Sequence, residues 1–416
     1  MFFMMIKHIT IVTTNQSNTN SFISSLLKDE KPEEFNFLKG LSTVLFSKSE
    51  VLRFIKEEEI HDIKTLTANT TQSLKSMSSG EQKRVLFKHL LDQKPKYIIL
   101  DNPFDNLDTA YQTTLKKLLL EISESIGIIL ICSRQEDSLP ISSKIYKLEV
   151  DSLKHYSSLT EYNSLINNKT SLKHLEIPKN TTAINHLNTE LIRFKDVSVS
   201  FETKKVLHQI NWQINKGEFW QLLGTNGSGK TTLLSMITGE NNKGYGQELY
   251  LFGQKKGSGE SIWDIKKKIG YFTPSLTDNF KGNHTIEHMV LAGFTDAVGL
   301  YTKPTETQLS LTSQWLKIAE LSEIKNKLFN EITRGEQRLV MLLRAIVKQP
   351  LLLILDEPTA GLDDSNSALF VALVNKIASS KQTALIFVSH RKEPNLKPLA
   401  IIELRTTPNG SIANII

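Results

Sequence analysis

The residues from Trp220 to Thr232 read Trp-Gln-Leu-Leu-Gly-Thr-Asn-Gly-Ser-Gly-Lys-Thr-Thr. An apolar strand runs into a glycine-rich turn, and the turn opens a helix. Gly224, Gly227 and Gly229 let the backbone bend tightly around Thr225, Asn226 and Ser228, so that successive N–H groups and the positive end of the helix face one point. A phosphate fits there. Lys230 adds a cation that reaches β- and γ-phosphates, Thr231 offers a hydroxyl to Mg2+, and Thr232 carries on the helix. A nucleotide with Mg2+ is the expected ligand.

Such a loop must be held beside strands that bring in the remaining chemistry. Leu351 to Leu355 is a continuous apolar run, as expected of a parallel strand covered on both faces, and it ends in Asp356-Glu357-Pro358. Asp356 is placed to hold Mg2+ through water, and Glu357 is the candidate general base for an attacking water. Upstream stands Ile332-Thr333-Arg334-Gly335-Glu336-Gln337-Arg338, followed by an apolar helix from Leu339 to Val347. Downstream come Ala360-Gly361-Leu362-Asp363 and a second apolar strand, Ala384 to Val388, ending in Ser389-His390.

This ordered set resembles the ATP-binding cassette (ABC) ATPases. The resemblance implies a signature loop at Ile332 to Glu336, a D-loop at Ala360 to Asp363 and a switch histidine at His390. It also implies that Phe201, in Val197-Ser198-Val199-Ser200-Phe201, stacks on adenine.

The pattern occurs twice. Met77-Ser78-Ser79-Gly80-Glu81-Gln82-Lys83-Arg84 repeats the signature, Tyr97-Ile98-Ile99-Leu100-Asp101-Asn102-Pro103 repeats the magnesium strand, and Leu107-Asp108 repeats Leu362-Asp363. Ser78 and Asp101 are 23 positions apart, as are Thr333 and Asp356. The halves are therefore related domains. In the first, Thr13-Thr14-Asn15-Gln16-Ser17-Asn18-Thr19-Asn20 falls at the P-loop position and holds neither glycine nor lysine; Asn102 replaces the base and Arg134 the switch histidine. This half is also shorter, with 59 positions from Thr19 to Ser78 against 103 from Lys230 to Thr333.

The expected architecture is α/β: two P-loop NTPase domains of the ABC type in one chain. Residues 1–150 form a truncated, degenerate cassette, 151–189 a linker with one short helix, and 190–416 an intact cassette. In the family two cassettes close head to tail, which implies that Ser78, Ser79, Gly80 and Glu81 complete the site of Lys230. The helix after them, Gln82 to Leu91, turns its N-terminal end to the γ-phosphate. One ATP per chain follows, hydrolysed to ADP and phosphate, with Gly80→Asp more damaging to turnover than Gly335→Asp.

Coarse properties bound the role. The chain has 416 residues, net charge +6 and one cysteine, Cys132, on an expected buried strand. That excludes disulfide frameworks and cysteine zinc sites, and it suits a reducing cytoplasm. No apolar run is long enough to span a bilayer. Met1-Phe2-Phe3-Met4-Met5 lacks a basic region and a cleavage site and is expected to lead into a strand from Ile6 to Thr13. Any membrane-spanning subunits would be separate chains, with this one peripheral at the inner face.

Lys255-Lys256 and Lys266-Lys267-Lys268 read as solvated positions beside an apolar stripe, so nucleic acid is a weakly supported partner. The segment from Leu249 to Gly270 is similar to the tandem cassettes known as molybdenum-transport or photorepair ATP-binding proteins, which implies molybdate import. Against import, the family glutamine after Ile269-Gly270-Tyr271-Phe272 is absent, Thr273-Pro274-Ser275 standing there. The alternatives are a regulatory or mechanical ATPase on nucleic acid or ribosomes, and a non-hydrolytic ATP switch.

Overall fold

The computed structural model describes residues 6–28, 31–68, 70, 72–105, 107–157, 161, 176–179, 188–278, 280, 282–297, 299, 302–390 and 392–416. Met1 to Met5 and the short helix expected in the linker lie outside them. The chain divides into two compact units, one of Met1–Lys169 with Gly361–Ser365, the other of Thr170–Ala360 with Asn366–Ile416.

In the first unit, β1 (Ile9–Thr13) leads into α1 (Thr19–Leu27), and β2 (Thr43–Phe46) into α2 (Lys48–His61) and α3 (Ser79–Asp92). Then come β3 (Tyr97–Asp101), α4 (Thr109–Ile122), β4 (Gly127–Cys132), β5 (Lys144–Glu149) and β6 (Ser152–Tyr156). The sheet runs β2-β3-β4-β1-β5-β6, parallel except for the last pair. The apolar runs of β1 and β4 are wholly buried, as strands covered by helices on both faces must be. Cys132 sits on β4, and burial pushes its thiol far above the usual range.

In the second unit, β7 (Glu190–Phe201) and β8 (Lys204–Asn215) precede β9 (Phe219–Gly224) and α5 (Lys230–Ile237). β10 (Glu248–Leu251), β11 (Gln254–Lys255), α6 (Ile262–Lys268) and β12 (Ile269–Phe272) follow. Next are the helices α7 (Pro274–Asp278), α8 (Ile286–Leu291), α9 (Glu306–Ile318) and α10 (Arg334–Ile346). The chain ends in β13 (Leu352–Asp356), α11 (Asp364–Ser379), β14 (Ala384–Ser389), β15 (Ala400–Arg405) and β16 (Ile412–Ile415).

Its main sheet runs β12-β13-β14-β9-β15-β16, the order of the first unit strand for strand, again with only the last pair antiparallel. A separate antiparallel sheet, β11-β10-β7-β8, has no counterpart among the described residues of the first unit.

Two differences from expectation have physical causes. Ser152–Tyr156, assigned to the linker, pairs with β5; as an edge strand it keeps polar residues outward and buries Tyr156. Residues 176–179 belong to the second unit, with Pro178 buried and Gln349 Nε2 donating to the Lys179 carbonyl at 3.0 Å.

Four of the five clustered lysines pair with carboxylates, and Lys268 Nζ lies 5.2 Å from the Phe252 ring centre. Lys255 pairs with Glu248, Lys256 with Glu260 at 3.0 Å, Lys266 with Glu240 at 2.9 Å, and Lys267 lies 3.7 Å from Asp264. These two clusters therefore offer little net positive field of their own to a nucleic-acid backbone.

Lys83, on α3, donates from Nζ to the carbonyls of Pro103 (2.9 Å) and Asp105 (2.6 Å). Burial nevertheless lowers its pKa to about 8. The unfolded chain then holds this proton more tightly than the folded one, so Lys83 makes stability rise with pH between about 8 and the ordinary lysine value. Thermal melts across that window are expected to show the rise, and Lys83→Met is expected to reduce its slope whatever the variant's absolute stability.

Candidate nucleotide site

The apolar residues of β9 bury the strand in the sheet, and its carboxyl end delivers Gly224 to the crevice where α/β sheets bind ligands. A side chain at Gly224 would put Cβ 2.5 Å from Ser228 Oγ, and Gly229 has φ +93°, where only glycine is unstrained. Ser228 Oγ is buried without a hydrogen-bond partner. Lys230 Nζ donates to the carbonyls of Gly224 (2.6 Å) and Thr225 (3.0 Å), which keeps the ammonium at the loop. An orphaned hydroxyl and a cation inside a closely wrapped backbone fit a phosphate. Asn226 and Thr231 are exposed, and Thr232 is half-buried.

Beneath the loop, Gln221 Nε2 on β9 donates to Ser389 Oγ on β14 at 3.0 Å, which fixes the strand end that carries His390. His390 Nδ1 lies 3.5 Å from Glu357 Oε1. Glu357 has φ +46°, and its N–H donates to the Val388 carbonyl at 2.9 Å, aiming the carboxylate out of the sheet's end. Burial first, and then the charge of Glu357, push the Asp356 carboxyl up to about 6, against the opposing pull of Lys230 and the Tyr271 hydroxyl. Tyr271 Oη donates to Asp356 Oδ2 over 3.4 Å. One carboxylate and one hydroxyl, Asp356 and Thr231, suit Mg2+, which keeps most of its waters and takes further oxygens from phosphates. Phe201 ends β7 at 42% exposure, with Lys243 Nζ 5.6 Å from its ring centre.

The same positions in the first unit are built differently. Asn102 has φ +43°, and its N–H donates to the Ile131 carbonyl at 2.9 Å, so its backbone matches that of Glu357. Its side-chain amide, however, donates to Asp101 (2.9 Å) and accepts from the Ser133 N–H (3.0 Å). The 13–20 loop closes on protein acceptors: Thr14 N–H donates to Ser17 Oγ (2.9 Å) and Asn18 N–H to the Val150 carbonyl (2.8 Å).

Both signature segments form helix caps. Ser78 Oγ accepts from the Glu81 N–H (3.3 Å) while Glu81 Oε2 accepts from the Ser78 N–H (2.8 Å), and Thr333 and Glu336 repeat the arrangement. Ser79 and Gly80 open the first turn of α3. A Cβ on Gly80 would meet only Leu107 Cδ2, at 3.8 Å, whereas one on Gly335 would lie 2.1 Å from Asn366 Oδ1. The Asn366 side chain must therefore shift to admit Gly335→Asp, whereas Gly80→Asp finds room.

Sequence reasoning missed Arg338. It is fully buried on α10, and Nη1 donates to the Pro274 carbonyl at 2.9 Å, tying that helix to the start of α7.

Residues 207–360 match the sequence model of the family described as ABC transporter. The ABC transporter ATP-binding protein ModF of Escherichia coli is 36% identical over 83% of this chain and 73% of its own length. The chain belongs to the ABC ATP-binding proteins. An uncharacterized ABC transporter ATP-binding protein of Schizosaccharomyces pombe, C323.04, is 32% identical over 77% of this chain and 66% of its own. Among solved structures, the complex of archaeal ribosomal stalk protein aP1 with the ribosome recycling factor aABCE1 aligns with 98% of this ABC chain and 86% of its own, at TM-score 0.65 and 15% identity.

At that identity the likeness is one of fold, and the fold is two P-loop NTPase-like domains in tandem. The chain is thus a tandem ABC ATPase that binds and hydrolyses ATP. A molybdenum-transport or photorepair grouping is finer than these matches reach. Among the described residues, no helix is long and apolar enough to cross a membrane.

Proposed function

We propose that this tandem ATPase hydrolyses ATP at one site, built on the second half and completed by Ser78, Ser79, Gly80 and Glu81. The observation that carries the reading is the contrast between the two loops. Gly224 to Thr232 holds an unpartnered buried hydroxyl and a lysine, while the N–H groups of the 13–20 loop are taken by protein acceptors. In this reading Phe201 stacks on adenine and Lys230 and the loop amides hold the phosphates. Mg2+, held by Thr231 and Asp356, supplies charge neutralisation at the phosphate oxygens. Glu357 orients the attacking water and accepts its proton, and His390 stabilises the γ-phosphate.

Gly80→Asp tests the composite site. The new side chain has room in the first unit, so thermal stability and ATP binding are expected to persist. Its charge against the γ-phosphate should lower turnover about tenfold or more. Normal turnover in that variant removes Ser78 to Glu81 from the site.

For the partner, we infer a ribosome or nucleic acid worked on in the cytoplasm rather than a molybdate-type importer with separate membrane subunits. Thr273-Pro274-Ser275 lacks the glutamine the family keeps near its membrane contact, and proteins sharing the tandem fold include a factor solved bound to the ribosome. Co-sedimentation of Glu357→Gln protein with ATP is expected to recover it with ribosomes. Recovery with membranes alone would restore the importer reading.

A further inference from the structure

Away from the nucleotide loop, the second unit encloses a cavity of about 300 Å3. Ile269, Leu276, Phe280, Met289 and Met341 make most of it apolar. Four charged side chains, Glu240, Lys266, Asp296 and Arg344, also reach its wall. Lys266 is paired with Glu240 at 2.9 Å, and Asp296 with Lys348 at 2.5 Å. Arg344 is the fourth, feeling the Asp296 charge from beyond ion-pair distance. Its Nη2 donates to the Ala297 carbonyl, its Nε is buried without a hydrogen-bond partner, and among the described residues no carboxylate stands within ion-pair distance of it.

A largely buried guanidinium with an unused N–H is costly unless an anion or acceptor completes it. Carboxylate is the group whose geometry matches the guanidinium fork. A mostly apolar cavity with a few convergent polar groups is the usual form of a small-molecule site, and this volume lies at the lower end of the range for such sites.

We propose that this cavity binds a small monocarboxylate with an apolar body, its carboxylate on Arg344 and its body against Leu276, Phe280 and Met341. Tyr271 forms part of the same wall, and its hydroxyl is the one that reaches Asp356. An occupant therefore packs one side chain away from the proposed magnesium carboxylate. That regulatory consequence rests on the site reading above; the binding itself does not, and it is measured without nucleotide.

Calorimetric titration of the full chain with octanoate is expected to show one saturable site with a dissociation constant below about 1 mM, and octan-1-ol is expected to bind at least about tenfold more weakly. Leu276→Trp fills the cavity from its rim, where Leu276 is 41% exposed, and is expected to abolish octanoate binding while ATP still binds. Arg344→Gln should bring the acid and the alcohol to similar affinity. If that variant does not fold, the alcohol and Leu276→Trp carry the test. Absence of saturable octanoate binding, equal binding of the alcohol, or binding that survives Leu276→Trp overturns the proposal.

Discussion

Glu357→Gln is expected to leave ATP binding intact and slow hydrolysis by about 100-fold or more, the order associated with losing a general base. The substitution keeps the length and branching of the side chain, so the anchor between the Glu357 N–H and the Val388 carbonyl and the packing under it are undisturbed. What changes is basicity. The amide cannot take a proton from water, and it no longer offers a carboxylate 3.5 Å from His390 Nδ1. Phosphate release under single-turnover conditions, beside equilibrium binding of ATP, separates the two effects. Turnover within a few fold of the original would assign the base elsewhere.

Lys230→Ala is expected to abolish tight ATP binding at the proposed single site. The ammonium is drawn into the loop by the Gly224 and Thr225 carbonyls, and its loss leaves those acceptors facing the phosphates with no cation between them. The 13–20 loop does not replace it, since it carries no lysine and uses its Thr14 and Asn18 N–H groups on protein acceptors. Titration of Mg-ATP should therefore give a stoichiometry near one for the original chain and no tight binding for the variant. Two comparable sites, or one site surviving in Lys230→Ala, would show that the first half binds nucleotide.

The glycine-rich loop, the strand ending in Asp356 and the repeated signatures were legible because each depends on local chemistry. A tight turn needs glycine, a doubly covered strand needs an apolar run, and a helix start needs a capping Ser or Thr. Strand β6 was not legible, since Ser152, Lys154 and His155 on an exposed edge look like linker. Residues 176–179 escaped for the same reason: Pro178 is buried by a surface far away in sequence. An arginine in a helix ordinarily faces water, so nothing local marked Arg338 as buried. The tight seat of Gly335 depends on Asn366, some thirty positions on, and the link between Tyr271 and Asp356 joins neighbouring strands whose pairing the sequence does not print.

Asn102 and Glu357 share one backbone conformation, with φ +43° and +46°. Asparagine enters that left-handed region far more readily than glutamate, for which it is a strained state. The second half thus retains a residue its backbone disfavours at the position where the proposed mechanism calls for a carboxylate. The first half carries the relaxed version of the same turn, with the amide bonded on both sides. Seen this way, the two halves record a trade between fitness of the backbone and reactivity of the side chain, and each has settled it in the opposite direction.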